Sequence, residues 1–128
     1  MNVQDLYLSD LPVIGVDLDG TLAEHDQWQG FEHIGKPVPT MLERVRGWLT
    51  KGHPVYGRVE VQIVTARVAR DEPDANYARG FVEAYCEHHL GQKLVVTSSK
   101  SLRLVELWDD RAVQVEANTG RRLDGVED

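Results

Sequence analysis

Two aspartates two residues apart, Asp17 and Asp19, stand at the end of the apolar run Leu11-Pro12-Val13-Ile14-Gly15-Val16 and are followed by Gly20 and Thr21. In an extended backbone alternate side chains lean to one side, so both carboxylates can face the same space while Leu18 packs away. Gly20 permits a sharp turn that brings backbone N–H groups close to an anion, and Thr21 adds a hydroxyl. Polar groups also follow each later apolar run: Thr65, then Ser98 to Lys100, then Asp109-Asp110. Three or four converging carboxylates would repel one another strongly without a cation. An oxygen-rich site with room for water and substrate suits Mg²⁺. A carboxylate in such a site can attack phosphorus and form an aspartyl-phosphate. A neighbouring carboxylate can protonate the leaving oxygen and then activate water, while lysine and hydroxyl donors hold the phosphoryl oxygens.

The elements that must position these groups can be read from periodicity. Residues 11–16 form a buried strand that stops at Asp17. Residues 17–39 hold Gly20, Gly30, Gly35, Pro37 and Pro39 with no sustained period, and so form a long loop. Thr40 with Glu43 matches a capping box. Met41, Leu42, Val45, Trp48 and Leu49 then recur at helical spacing up to Gly52. Val55 to Val64 is the second strand. Asp71-Glu72-Pro73-Asp74 opens a second helix carrying Tyr77, Phe81, Tyr85 and Leu90, closed by Gly91. Lys93–Thr97 is a third strand, Leu102–Trp108 a helical turn running into a fourth, and Ala112–Val115 a fifth. Residues 118–128 read as a loose polar tail. Strands separated by helical segments predict parallel pairing with right-handed crossovers. The expectation is one α/β domain over residues 1–128, a three-layer sandwich around a mainly parallel five-stranded sheet. Ligands bind such sheets at the carboxyl ends of the strands, and every polar cluster falls at that end.

These residues carry a resemblance. Asp17-Leu18-Asp19-Gly20-Thr21-Leu22 resembles the first motif of the haloacid dehalogenase-like (HAD) superfamily, and Ile63-Val64-Thr65 its second. Lys100 matches the lysine of the third motif and Asp109-Asp110 the acidic fourth. The resemblance spans roughly residues 11 to 116. It implies a HAD-like, Rossmann-type fold with Asp17 as nucleophile and metal ligand. Asp19 would be the general acid/base, its carbonyl also binding Mg²⁺. Thr65 and Lys100 would contact the phosphoryl group, and Asp109 would complete the metal shell with Asp110 supporting it. Aspartate at position 19 points to the phosphatase branch. The intervals between motifs are mostly consumed by core helices, so the chain resembles small capless phosphatases of the superfamily. It departs from the pattern in having Trp108 before the acidic pair, and Lys93 competes with Lys100 for the lysine role.

Alternatives stand beside these assignments. The acidic turn fails as a calcium loop, because Leu22 occupies the position that needs glycine. Arg67 either grips a substrate anion or pairs on the surface with Asp71 or Glu72. Trp28 and Phe31 either cover the site or anchor the loop on the core. Cys86, His88 and His89 share one helix with no partner cluster, which disfavours zinc. A receiver-type signalling domain places its acidic pair before the phosphorylated aspartate, the reverse of the order here. The remaining functional alternatives are a nucleotide or nucleic-acid-end phosphatase or phosphotransferase, and a catalytically silent binding module of the same fold.

Composition bounds the partners. The 128 residues, with 41% hydrophobic and 27% charged side chains, suffice for a core without staples. A net charge of −7 disfavours duplex nucleic acid, which needs a basic face. A small phosphorylated substrate remains compatible. No apolar run is long enough to span a membrane. The first residues lack signal-peptide character, and the single Cys86 permits no internal disulfide, so a reducing cytoplasm is the expected location.

Overall fold

The structure, a computed structural model, describes residues 10–127. Residues 1–9, on which the signal-peptide reading rests, and Asp128 lie outside the described residues. Strands β1 (Val13–Val16), β2 (Glu60–Val64), β3 (Val95–Thr97) and β4 (Leu104–Trp108) form one sheet in the order β3-β2-β1-β4, with every pairing parallel. Helix α1 (Pro39–Lys51) links β1 to β2, and α2 (Asp74–Leu90) links β2 to β3 after a short 3₁₀ turn at Ala66–Val68. The α/β class and the parallel sheet agree with the sequence reading, and the arrangement is compatible with a Rossmann-like sandwich.

The alternation of strand side chains explains where the core lies. Ile14 and Val16 stand opposite Val61 and Ile63, and Ile63 opposite Val96. These residues share one face of the sheet and pack with Met41, Val45 and Trp48 of α1 and Ala78, Val82 and Cys86 of α2. Both helices lie on that face, where the Arg46 guanidinium of α1 donates to the His89 carbonyl of α2 at 3.0 Å. On the other face Gly15 has no side chain, and Leu104, Leu107 and Val64 close over it.

Several sequence expectations are corrected. The sheet has four strands among the described residues, not five. Ala112–Val115 turns back on its own tail: Glu116 N–H donates to Arg121 O, Leu123 N–H to Gln114 O, and Val115 bridges Arg122. Asn118 and Gly120 adopt the positive φ that such a turn requires, so residues 118–127 form a folded-back arm rather than a loose tail. The outer helical layer of a three-layer sandwich is also missing among the described residues. The six residues 98–103 must carry the chain from the carboxyl end of β3, past β2 and β1, to the amino end of β4. That path is roughly 20 Å at normal strand spacing and rise, and the link ends in a turn closed by Leu104 N–H donating to Ser101 O at 3.1 Å, which leaves too few residues for a helix.

Local boundaries differ for physical reasons. Thr40 and Glu43 form no capping box; the N-cap is Val38 and Pro39 opens the helix, where its missing N–H costs nothing. Strand β2 begins at Glu60 because His53 and Gly57 pair backbone to backbone and close a turn first. No helix among the described residues is long and apolar enough to cross a membrane.

The long loop is pinned at both neck and tip. Glu24 N–H donates to Lys36 O and Val38 N–H to Leu22 O, while Ala23 bridges Pro37. From α2, the Tyr85 hydroxyl donates to Gly35 O at 3.0 Å and the Tyr77 hydroxyl to Glu32 at 2.6 Å. Gly35 lies against the Glu24 backbone, where any Cβ would collide with the Glu24 carbonyl oxygen. Gly35→Ala is therefore expected to destabilise the fold by roughly 1–3 kcal/mol, the usual cost of forcing atoms into packed space. A shift of the urea midpoint measures it; an unchanged midpoint would mean that the neck is not closed in solution.

Candidate active site

The carboxyl ends of β1 and β4 meet at Asp17, whose N–H donates to Trp108 O at 2.8 Å and extends the ladder one residue beyond β1. Leu18 is fully buried, as its alternation requires. The chain then winds tightly: Thr21, Leu22 and Ala23 all donate to Leu18 O, and Gly20 N–H donates to Ala23 O. Gly20 has φ +89°, and a Cβ there would lie 2.6 Å from an Asp110 oxygen. The glycine is needed so that Asp110 can seat against the turn.

Asp17, Asp109 and Asp110 each present a carboxylate oxygen within 4.8 Å of the others. Desolvation pushes the Asp17 carboxyl up to about 7, and the Asp109 charge and the hydrogen bond with Asp110 add to the shift. Asp110 also loses hydration, which acts upward. Hydrogen bonds from its own backbone N–H, Asp17 and Thr21, with the Arg111 charge, nevertheless hold it below the ordinary carboxylate range. The two carboxyls are thus pushed in opposite directions, Asp17 toward its protonated form and Asp110 toward its ionised one. Asp109 Oδ1 accepts from the N–H groups of Arg111 and Ala112 at 2.7 and 3.2 Å. It caps the turn after β4, and its other oxygen is left free of those bonds. Three clustered oxygens on rigid strand ends are a donor set that fits a hard divalent cation.

Asp19 stands apart from this triad. Its two oxygens accept from Arg67 Nε and Nη2, both at 2.8 Å, and His25 Nδ1 lies 3.6 Å away. Arg67 is buried, with a side chain only 4% exposed. It also donates to Phe31 O at 3.1 Å and His33 O at 2.9 Å, and its guanidinium lies 4.8 Å from the centre of the Trp28 ring. The surface pairing with Asp71 or Glu72 is overturned. Arg67 joins the turn after β1 to the long loop, and four of its five N–H groups are engaged.

The other expected residues are distributed as follows. Thr65 is buried, lines the cleft, and accepts from Arg67 N–H at 3.2 Å, which caps the 3₁₀ turn. The Thr21 hydroxyl donates to Asp110 Oδ1 at 3.2 Å and does not line the cleft, so it orients a carboxylate rather than meeting a ligand. Lys100 is exposed and also outside the lining; it lies in the short link from β3 to β4. Lys93 precedes β3 and lines a separate cavity with Leu11, Trp48 and Arg58, at the opposite end of the sheet. Trp108, the departure from the family pattern, turns inward and packs on Trp48 with ring centres 5.3 Å apart.

The cleft above the triad has a volume of about 620 Å³, and its lining includes Asp17, Asp19, Thr65, Ser98 and Asp109. Sequence reasoning did not single out His25, Arg70 or Arg111, which also line it. Their one signal was position, since each follows a motif by only a few residues. No family model, curated protein or solved structure matches the chain.

Two outcomes follow. Arg67→Met leaves Asp19 without its countercharge and removes two ties to the loop. The expected loss is about 3 kcal/mol in urea unfolding, the lower end for breaking a buried pair because Asp19 keeps some contact with water. A loss below about 1 kcal/mol would reduce the pair to a surface contact. Asp17 supplies the second outcome. Its folded value is raised above the ordinary 3.8, so the protonated form stabilises the fold; that contribution is complete below pH 4 and lost as pH rises through about 7. Metal-free protein should therefore melt progressively lower between pH 4 and 7. Mg²⁺ should recover the loss above pH 7 and bind more weakly as the pH falls below it. Asp17→Asn should remove both effects, and a wild-type melting temperature flat over this range without metal would contradict the raised Asp17 carboxyl.

Proposed function

We propose that this chain is a HAD-type, Mg²⁺-dependent phosphatase that hydrolyses a phosphate monoester through an aspartyl-phosphate on Asp17. The observation that carries the reading is that the Asp17 carboxylate clusters with those of Asp109 and Asp110 and, with Asp109 and Thr65, lines an open cleft. Asp17, Asp109 and Asp110 would hold Mg²⁺ together with the Asp19 carbonyl, and the ion would supply positive charge against the phosphoryl oxygens.

In the first step an Asp17 oxygen bonds to phosphorus as the ester P–O bond breaks, and the leaving oxygen takes a proton from Asp19. In the second, water attacks phosphorus, Asp19 accepts its proton, and Asp17 leaves as carboxylate with release of phosphate. The Thr65 hydroxyl donates to a phosphoryl oxygen. Asp19 accepts from Arg67 on both oxygens, a geometry that belongs to an ionised carboxylate. Its acid role therefore requires one of those contacts to open when the ester binds, while the second step begins with the Asp19 form observed.

A second reading, the catalytically silent binding module, is favoured by the clamp on Asp19 and by the position of Lys100 outside the cleft. One assay separates the two. With p-nitrophenyl phosphate, phosphate release is expected to require Mg²⁺, to stop with EDTA, and to fall about a thousandfold or more in Asp17→Asn, as removal of a covalent nucleophile does. Near-normal turnover by folded Asp17→Asn would end the covalent mechanism. Absence of turnover by the wild type across phosphate esters would select the silent module.

A further inference from the structure

We propose that the cleft takes a nucleoside monophosphate, with its phosphoryl group at Asp17 and its base against Trp28. This substrate class rests on the phosphatase reading. The cleft lining combines two chemistries: the acids and hydroxyl of Asp17, Thr65 and Asp109, and the aromatic and basic side chains of His25, Trp28, Phe31 and Arg70. Its volume of about 620 Å³ lies in the range that holds a drug-sized ligand, more than a bare phosphate or a short alkyl phosphate fills.

Trp28 is the informative residue. It is 52% exposed although it lines a concavity. It is also held in place: the Phe31 and Trp28 rings meet at 78° with centres 4.9 Å apart, and the buried Arg67 guanidinium covers one face of the Trp28 ring, 4.8 Å from its centre. The same guanidinium fixes the carbonyls of Phe31 and His33, and Tyr77 and Tyr85 hold Glu32 and Gly35. A large aromatic surface left open to water but already ordered is a preformed stacking platform, because binding to it costs little further conformational entropy.

The cations around the platform fit the charge of the same ligand. Arg70 lies 4.3 Å from the centre of the Phe31 ring and has no carboxylate within 4 Å among the described residues. Arg111 also lines the cleft, 4.0 Å from Asp110. A flat heterocycle joined to a phosphate matches this set of aromatic, cationic and phosphoryl-binding groups. A single strand of nucleic acid would need a continuous basic groove, which a chain of net charge −7 is poorly composed to supply. The mononucleotide is therefore the better match.

The test compares kcat/KM, with Mg²⁺, for AMP, GMP, CMP and UMP against ribose 5-phosphate, phosphotyrosine and a 5′-phosphorylated oligonucleotide. At least one mononucleotide is expected to exceed ribose 5-phosphate by about tenfold or more, the fold-change that stacking one base is worth. Trp28→Ala should collapse that ratio and Trp28→Phe should keep most of it. In Asp17→Asn protein, AMP or GMP should quench tryptophan fluorescence, and adding Trp28→Phe should abolish the quench. Hydrolysis of ribose 5-phosphate as efficient as that of every nucleotide, with a ratio unmoved by Trp28→Ala, would overturn the base site while leaving the phosphatase standing. A preference for phosphotyrosine or the oligonucleotide would also overturn it. Saturable quenching by AMP or GMP in a protein that hydrolyses no ester would support the base site and remove the phosphatase reading instead.

Discussion

Arg67 and Asp19 form two parallel hydrogen bonds at 2.8 Å, and three separate pieces of chain meet at that contact. Asp19 belongs to the turn after β1, Arg67 to the 3₁₀ turn after β2, and the carbonyls of Phe31 and His33 to the long loop. A guanidinium this buried is tolerated only where its donors are matched, so the three pieces are placed together or not at all. The contact also divides the labour of two neighbouring carboxylates. Asp19 faces a cation, whereas Asp17 faces the anions Asp109 and Asp110. Carboxylates two residues apart thus meet oppositely charged surroundings, and desolvation together with the Asp109 and Asp110 groups raises the Asp17 carboxyl.

Much of this arrangement was legible in the sequence, and the legible parts share a cause. The run ending at Val16 and the run ending at Val64 are β-branched, so strand identity and the rim position of Asp17 and Thr65 followed from local pattern. The acidic pair after Trp108 was legible for the same reason. Local pattern does not encode partners, and the errors fall there. Val113 and Val115 alternate as a strand should, yet their neighbourhood pairs with its own tail around Arg122. Thr40 and Glu43 have capping-box spacing, but Pro39 already starts the helix. Arg67 has carboxylates nearby in sequence at positions 71 and 72, and its actual partner lies 48 residues away. The third layer was inferred from the alternation of strands and helices, while its absence follows from link length, which counts in space rather than along the chain.

The same short link bears on the lysine. If residues 98–103 must span the sheet diagonally, Ser98 stays at the rim and Lys100 is drawn off it, whatever the chemistry of the lysine. The cleft lining agrees, with Ser98 included and Lys100 not. Positive charge at the cleft is supplied by arginines instead, from the segment after β2 and the segment after β4. The link also leaves the outer face of the sheet to small or self-covering residues. Gly15 is sealed by Leu104, Leu107 and Val64, which lets β1 stay buried without a helix above it.

For the proposed activity, an acidic chain has to reverse its field locally to admit an anionic ester. At physiological ionic strength charges beyond about 8 Å are largely screened, so the overall −7 matters less at the cleft than the groups lining it. Those groups are Asp17, Asp19 and Asp109 against Arg67, Arg70 and Arg111, with His25 beside Asp19. Arg67 is committed to Asp19, so this pair is close to neutral for an incoming ligand. What remains is the triad of Asp17, Asp109 and Asp110 facing Arg70 and Arg111. Two arginines leave three carboxylates with a deficit of positive charge, and the upward shift of the Asp17 carboxyl, set by desolvation and then by Asp109 and Asp110, reflects that crowding. A divalent cation there would tip the balance toward positive charge and so make room for a phosphoryl group. Under the proposed function the cation and the anionic ligand would depend on each other: the cation would admit the phosphoryl group, and the phosphoryl oxygens would offset the positive charge that the cation adds.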